Sequence, residues 1–229
     1  MRILVIAMVA TLIFCVGCNK SEKEVTDKET TNGITEAEKT TVVTKPTKDL
    51  TVSEESEETD HEKIAIQTVI KNMYRWQESC RPAMQMKAIV KDGLIISFDM
   101  TKTKAHIKEI EKTGFFAQEF LDNMLKIYTT ENRMLKNKEV EWLNGDMSPF
   151  GSDSSPWCNC QDVPTNNDPF GIIKFKYLEF NDQEAILNWY WDISGGWNRN
   201  YKIRTAKEDG KWKIAWMEGW DHDTFTKIY

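Results

Sequence analysis

The sequence predicts an α+β domain in which N-terminal helices pack on an antiparallel sheet of about four strands. Apolar residues recur at helical spacing up to about residue 138, and after residue 170 the period switches to two. The strands then carry one Trp-rich face, which needs a helical cover to leave water. All nine Trp lie within 61–229, so one domain of that length has a sizeable core to bury.

Thr59 and Glu62 have the spacing of a capping box ahead of "HEKIAIQTVIKNMYRWQES", where Ile66, Val69, Ile70, Met73 and Gln77 share a stripe. Arg81 and Pro82 end that helix. The short apolar run Gly93 to Phe98, "GLIISF", reads as a strand or a buried loop, and its period does not decide between them. A second helix runs from about Lys104 to Gly114. A third, from Phe116 to about Lys138, repeats Ala117, Phe120, Leu121, Met124, Leu125 and Tyr128 at helical spacing. Residues 143–169 are dense in Gly, Pro, Asn, Asp and Ser and read as a long irregular segment.

Four alternating runs come next. Ile173, Phe175 and Tyr177 oppose Lys174 and Lys176; Leu187, Trp189, Trp191 and Ile193 oppose Asn188, Tyr190 and Asp192. Tyr201 and Ile203 oppose Lys202 and Arg204; Trp212, Ile214 and Trp216 oppose Lys211 and Lys213. Turns at Asn181-Asp182, Gly195-Gly196 and Asp209-Gly210 make these an antiparallel meander.

The N-terminus points to the cell envelope. Arg2 precedes the apolar run "ILVIAMVATLIF", which is too short to span a bilayer and fits a signal-peptide core. It ends in "CVGC", which resembles a bacterial lipoprotein box, with Cys15 where Leu is usual. The resemblance implies a signal peptide over 1–17 and lipid attachment at Cys18, anchoring the chain to the membrane by several acyl chains. Asn19 in place of Asp implies release from the inner membrane toward the outer membrane, on its periplasmic or surface face. Residues 18–60 are rich in Thr, Glu and Lys with no aromatic, so they read as a disordered tether spanning on the order of 35 Å. The folded domain is expected over 61–229. With 36 acids against 30 bases and a net charge of -6, no basic face and no nucleic-acid partner are implied.

The element order, closed by "DGKWKIAWMEGW", resembles the nuclear transport factor two-like, cystatin-like α+β superfamily. The stretch "FDMTKTKAHIKEIEKTGFFAQEFLDN" looks like uncharacterised periplasmic or surface lipoproteins of that superfamily, and "CQDVPTNNDPF" is similar to their loop elements. The resemblance implies a curved sheet wrapped around a long helix as a cone, often holding a pocket. It implies no single activity, because the scaffold hosts enzymes, binders and dimers formed through the sheet.

Outside the cytoplasm, Cys80, Cys158 and Cys160 are disulfide candidates. A Cys158–Cys160 bridge closes a tight, strained ring, so Cys80 bonded to one of them is the favoured pairing, worth about 4 kcal/mol in the chain-entropy model. Zinc lacks a fourth ligand at motif spacing from His61, His106 or His222, and no metal or other cofactor is expected. Asp146, Asp153, Asp162 and Asp168 lack the alternation of a calcium loop. His106 reads as a solvated helical residue. Trp76, Tyr177, Trp189, Trp191 and Trp216 are the candidate pocket aromatics, with Glu179 and Glu218 at its rim and Asp99 and Asp162 as weaker mouth residues. No catalytic set emerges. The reading is a lipid-anchored module that binds a small molecule or a protein, against a small hydrolase or isomerase using a cone carboxylate or His, or an inhibitor or immunity factor acting through 143–169.

If Cys18 carries the anchor, Cys18→Ser moves the protein from the membrane fraction to the soluble fraction and abolishes labelling by radioactive palmitate. A variant that stays in membranes and is still labelled contradicts the assignment.

Overall fold

The computed structural model describes residues 54–80, 86–151, 153–193 and 199–228, with side chains from residue 59 onward. The expected signal peptide, Cys18, most of the tether, the helix stop at Arg81 and Pro82, and the Gly195-Gly196 turn lie outside those residues. The chain divides into Met1–Asp49 and Leu50–Tyr229, and the described residues belong to the second unit.

Helix α1 runs over Glu54–Cys80, so it begins inside the segment that composition assigns to the tether. The Glu-rich start "EESEE" explains the extension, because Glu is a good helix former and suits the positive end of the helix dipole. Thr59 and Glu62 are therefore interior residues and form no capping box. The Glu62 carboxylate instead accepts hydrogen bonds from Lys207 Nζ at 2.6 Å and from the Trp212 indole, tying α1 to the sheet. Those donors hold its pKa below the usual carboxylate value, Lys207 most of all.

Strands β1 (Ala88–Lys91) and β2 (Leu94–Phe98) form an antiparallel hairpin, which resolves "GLIISF" as a strand. Asp92 (φ 52°) and Gly93 (φ 80°) turn it in the left-handed region that a two-residue hairpin requires. Helix α2 spans Met100–Glu111, and Asp99 is its N-cap, accepting from Lys102 N at 3.1 Å. Helix α3 spans Gln118–Lys136. The main sheet is the meander β3 (Lys174–Phe180), β4 (Glu184–Tyr190), β5 (Tyr201–Glu208), β6 (Lys211–Met217), in that spatial order and antiparallel throughout. A short helix, α4 (His222–Phe225), closes the described chain. The described part is thus α+β, with four helices and antiparallel sheets of two and four strands.

One sheet face is buried under α1 and α3. Leu187, Trp189, Tyr201, Ile203, Trp212 and Ile214 form one core cluster with Ile66, Ile70, Met73 and Tyr74 of α1 and Phe120, Met124 and Ile127 of α3. Each large side chain removed from water there contributes about 1.5–3 kcal/mol. The outer edge of β6 is covered by the segment entering α3, with Ile214 N bonding Phe115 O at 2.8 Å and Ala117 N bonding Ile214 O at 2.9 Å. A smaller cluster of Ile95, Phe98, Met134, Leu135 and Phe150, flanked by Trp142, fastens the β1–β2 hairpin to the end of α3.

Two β-bulges in the four-stranded sheet break the expected alternation. Tyr177 pairs with Leu187 but Glu179 pairs with Ile186, so Leu178 is an extra residue in β3. Arg204 pairs with Trp216 but Thr205 pairs with Ile214, so Ala215 is an extra residue in β6. Each inserted residue turns the side chains after it to the opposite face. Glu179 is therefore exposed rather than in phase with Phe175 and Tyr177. Trp216 leaves the core face, and Met217, fully buried, takes its place.

Candidate functional site

The site grows from the loop "SSPWCNC". Trp157 is buried against Phe116, Phe120 and Trp220, with its ring centroid 5.0 Å from that of Trp220, and so pins the loop to the core. Asn159 adopts φ 48°, a left-handed conformation that Asn tolerates better than most residues. The chain reverses there: Asn159 N donates to Ser155 O at 2.8 Å, and Ser155 N to Cys160 O at 3.0 Å.

That reversal brings the Cα atoms of Cys158 and Cys160 to 5.1 Å, and the two are joined by a disulfide. Cys80, at the end of α1, is a free thiol, so the expected bridge from Cys80 to the loop is not the one formed. The left-handed Asn159 supplies the curvature that makes the short ring attainable.

Two tyrosine hydroxyls, one from α1 and one from β5, fix the loop. The Trp189 indole donates to Tyr74 Oη at 2.9 Å, and Tyr74 Oη donates to Trp157 O at 2.6 Å. Tyr201 Oη donates to Pro156 O at 2.5 Å and accepts from Gly219 N at 3.0 Å. Burial pushes both phenols far above their ordinary pKa, so they remain neutral donors. Gly219 lies directly under the loop: a Cβ there would stand 2.0 Å from Pro156 O, which only glycine avoids.

Against this loop lies a cleft of about 580 Å³, whose wall includes Phe150, Asn159, Arg199, Trp216, Glu218 and Asp221. A second cleft of about 420 Å³ shares Ser154, Asn159 and Arg199 with it and adds Gln161, Asp162 and Trp191. Glu218 accepts from Lys202 N at 2.9 Å through Oε2. Asp221 accepts from Thr224 N at 3.1 Å as the cap of α4. Arg199 donates to Asn159 O at 3.1 Å.

The residues singled out from the sequence are divided by this geometry. Trp216 and Glu218 line the first cleft, and Trp191, only 4 % exposed, borders the second. Trp189 belongs to the packed interior instead, and Trp76 and Tyr177, half-buried, pack against it. Trp76 meets Phe115 and Phe116, and Trp189 packs on Tyr74, Phe170, Trp191 and Tyr201. Tyr177 donates to Lys63 O at 2.9 Å, and burial raises it to about 12. Asp168 is paired with Arg75 at 2.6 Å and accepts from Gly171 N. Among the described residues, no group of three or more His, Cys, Asp or Glu side chains could hold a metal ion. His106 is half-buried rather than solvated; its Nε2 has no partner among the described residues, and burial lowers its pKa.

Sequence reasoning missed Asn159, Arg199 and Asp221, because loop residues carry no period that could place them. It also missed Glu131, for which a signal exists: Glu131 falls on the inner stripe of α3 with Met124, Ile127 and Tyr128. Compared with known proteins, the chain matches no family model, no curated protein and no solved structure.

Glu131 is 4 % exposed, and burial raises its carboxyl from the ordinary 4.5 to about 8. The unfolded chain loses this proton near the ordinary value while the folded chain keeps it to about pH 8, so stability falls as pH rises between them. Below that window the cost vanishes; above it the cost is constant. Urea unfolding at pH 5 and pH 8 is expected to show the native chain losing roughly 1–3 kcal/mol more than Glu131→Gln over the interval. Equal losses contradict the assignment.

Proposed function

We propose that this chain is a lipid-anchored binding module of the bacterial envelope, tethered to the membrane through Cys18, whose domain offers the Trp216 cleft to a small polar ligand. Trp216 carries the reading. The extra residue Ala215 turns this indole out of the core and into a cleft, where its burial is only partial. Bulges of this kind often re-aim a side chain beside a functional site, and a mixed aromatic and polar lining is the usual makeup of a ligand pocket.

The arrangement supports binding over catalysis. Glu218 and Asp221 each accept a backbone amide, and among the described residues neither a His nor a Cys lines the larger cleft. The helix-covered meander also supports the nuclear transport factor two-like reading of the scaffold. In this form the interior is filled by Trp189, Tyr74 and Phe170, and the binding site lies at the rim of the sheet.

Native mass spectrometry of the full chain extracted from its own membranes tests the proposal. The expected result is a retained small molecule that is absent from Trp216→Ala prepared in parallel. A ligand held equally by both proteins, or no bound molecule in either, refutes the site.

A further inference from the structure

Resting on the cleft being a ligand site, we propose that its ligand is a neutral oligosaccharide lying across both clefts. A sugar ring has an apolar C–H face and a rim of hydroxyls, each able to donate and accept. The cleft matches both properties. Trp216 supplies a flat apolar surface, and its indole N–H has no hydrogen-bond partner among the described residues. Around it stand the acceptors Glu218 and Asp221 and the donor Arg199.

Charge narrows the choice. Among the described residues, Glu218, Asp221 and Arg199 form no salt bridge with one another or with any other side chain. A phosphate or other strong anion meets two carboxylates against one guanidinium in the larger cleft. A hydroxyl avoids that penalty and uses both kinds of group: it donates to a carboxylate and accepts from an arginine.

The second cleft sets the length. It adjoins the first through Ser154, Asn159 and Arg199, and it adds the polar side chains of Gln161 and Asp162 beside Trp191, an indole that is buried and whose N–H is held by Pro169 O at 2.7 Å. Two adjoining clefts that share a polar wall give room for a ligand longer than a single ring. The left-handed Asn159 and the Cys158–Cys160 disulfide hold that wall in shape before the ligand arrives, which limits the ordering cost of binding.

Titration calorimetry on the detergent-extracted full chain, with cellotetraose, maltotetraose, N-acetylchitotetraose and tetra-alanine as probes, tests this inference. At least one tetrasaccharide is expected to bind, with its disaccharide about tenfold weaker or worse. Trp216→Ala and Arg199→Ala are each expected to weaken binding by roughly tenfold with far-UV circular dichroism unchanged, while Trp216→Phe retains most of it. Arg199 is exposed, so its variant tests the site even if the Trp216 variants fold poorly. The inference is overturned if no tetrasaccharide binds at about 10 mM, if tetra-alanine alone binds, or if binding ignores both alanine variants. A non-carbohydrate molecule retained in native mass spectra and lost in Trp216→Ala would leave the cleft as a binding site and still overturn the sugar assignment.

Discussion

Tyr74 stands where three parts of the fold meet, and its hydroxyl serves all of them. It accepts from the Trp189 indole of β4, donates to Trp157 O in the 143–169 segment, and belongs to α1. Its ring stacks on Phe170 with centroids 4.2 Å apart, adding a fourth tie to the chain entering β3. None of these groups reaches water, so each hydrogen bond lost leaves a buried polar atom unmatched at a cost of about 1–3 kcal/mol. The contacts are cooperative in position: α1 cannot shift on the sheet without breaking both.

From that junction the geometry propagates outward to the cleft. Trp157 O is fixed by Tyr74, Pro156 O by Tyr201, and Tyr201 also holds Gly219 at the start of the last helical turns. The loop backbone is therefore located at two successive carbonyls before the disulfide adds its short ring. Trp216 and Glu218, flanking Met217 just before Gly219, inherit their place from the same anchor, together with the bulge at Ala215. A cleft wall built from loop residues is rigid here because its supports are buried phenols rather than surface ion pairs. The Arg75–Asp168 pair, about half exposed, contributes little by comparison.

Much of the scaffold is legible in the sequence because burial imposes periods. Ile66, Ile70 and Met73 announce α1, Phe120, Leu121 and Met124 announce α3, and the four alternating runs give the meander and its inner face. Strand β1 is silent because all of Ala88–Lys91 is exposed and nothing alternates. The bulges at Leu178 and Ala215 are silent for a different reason: an inserted residue preserves composition while reversing the phase, so Glu179 and Trp216 point opposite to expectation. The cysteine pairing depends on the φ angle of Asn159, which no spacing rule conveys. The candidate site is thus legible only in fragments: Trp216 and Glu218 do line a cleft, but not the interior pocket expected to hold Trp216 and to have Glu218 at its rim, because Trp189 fills that interior.

Hydrogen exchange on Tyr74→Phe tests the central role of this hydroxyl most directly. The variant keeps the ring against Phe170 and removes only the bonds to Trp189 and Trp157. Amides of Ser155, Cys158 and Asn159, bonded within the loop, are predicted to lose protection by about tenfold or more while β5 and β6 amides change only with global stability. Unchanged protection in the loop, or losses spread evenly over sheet and loop, would contradict the account.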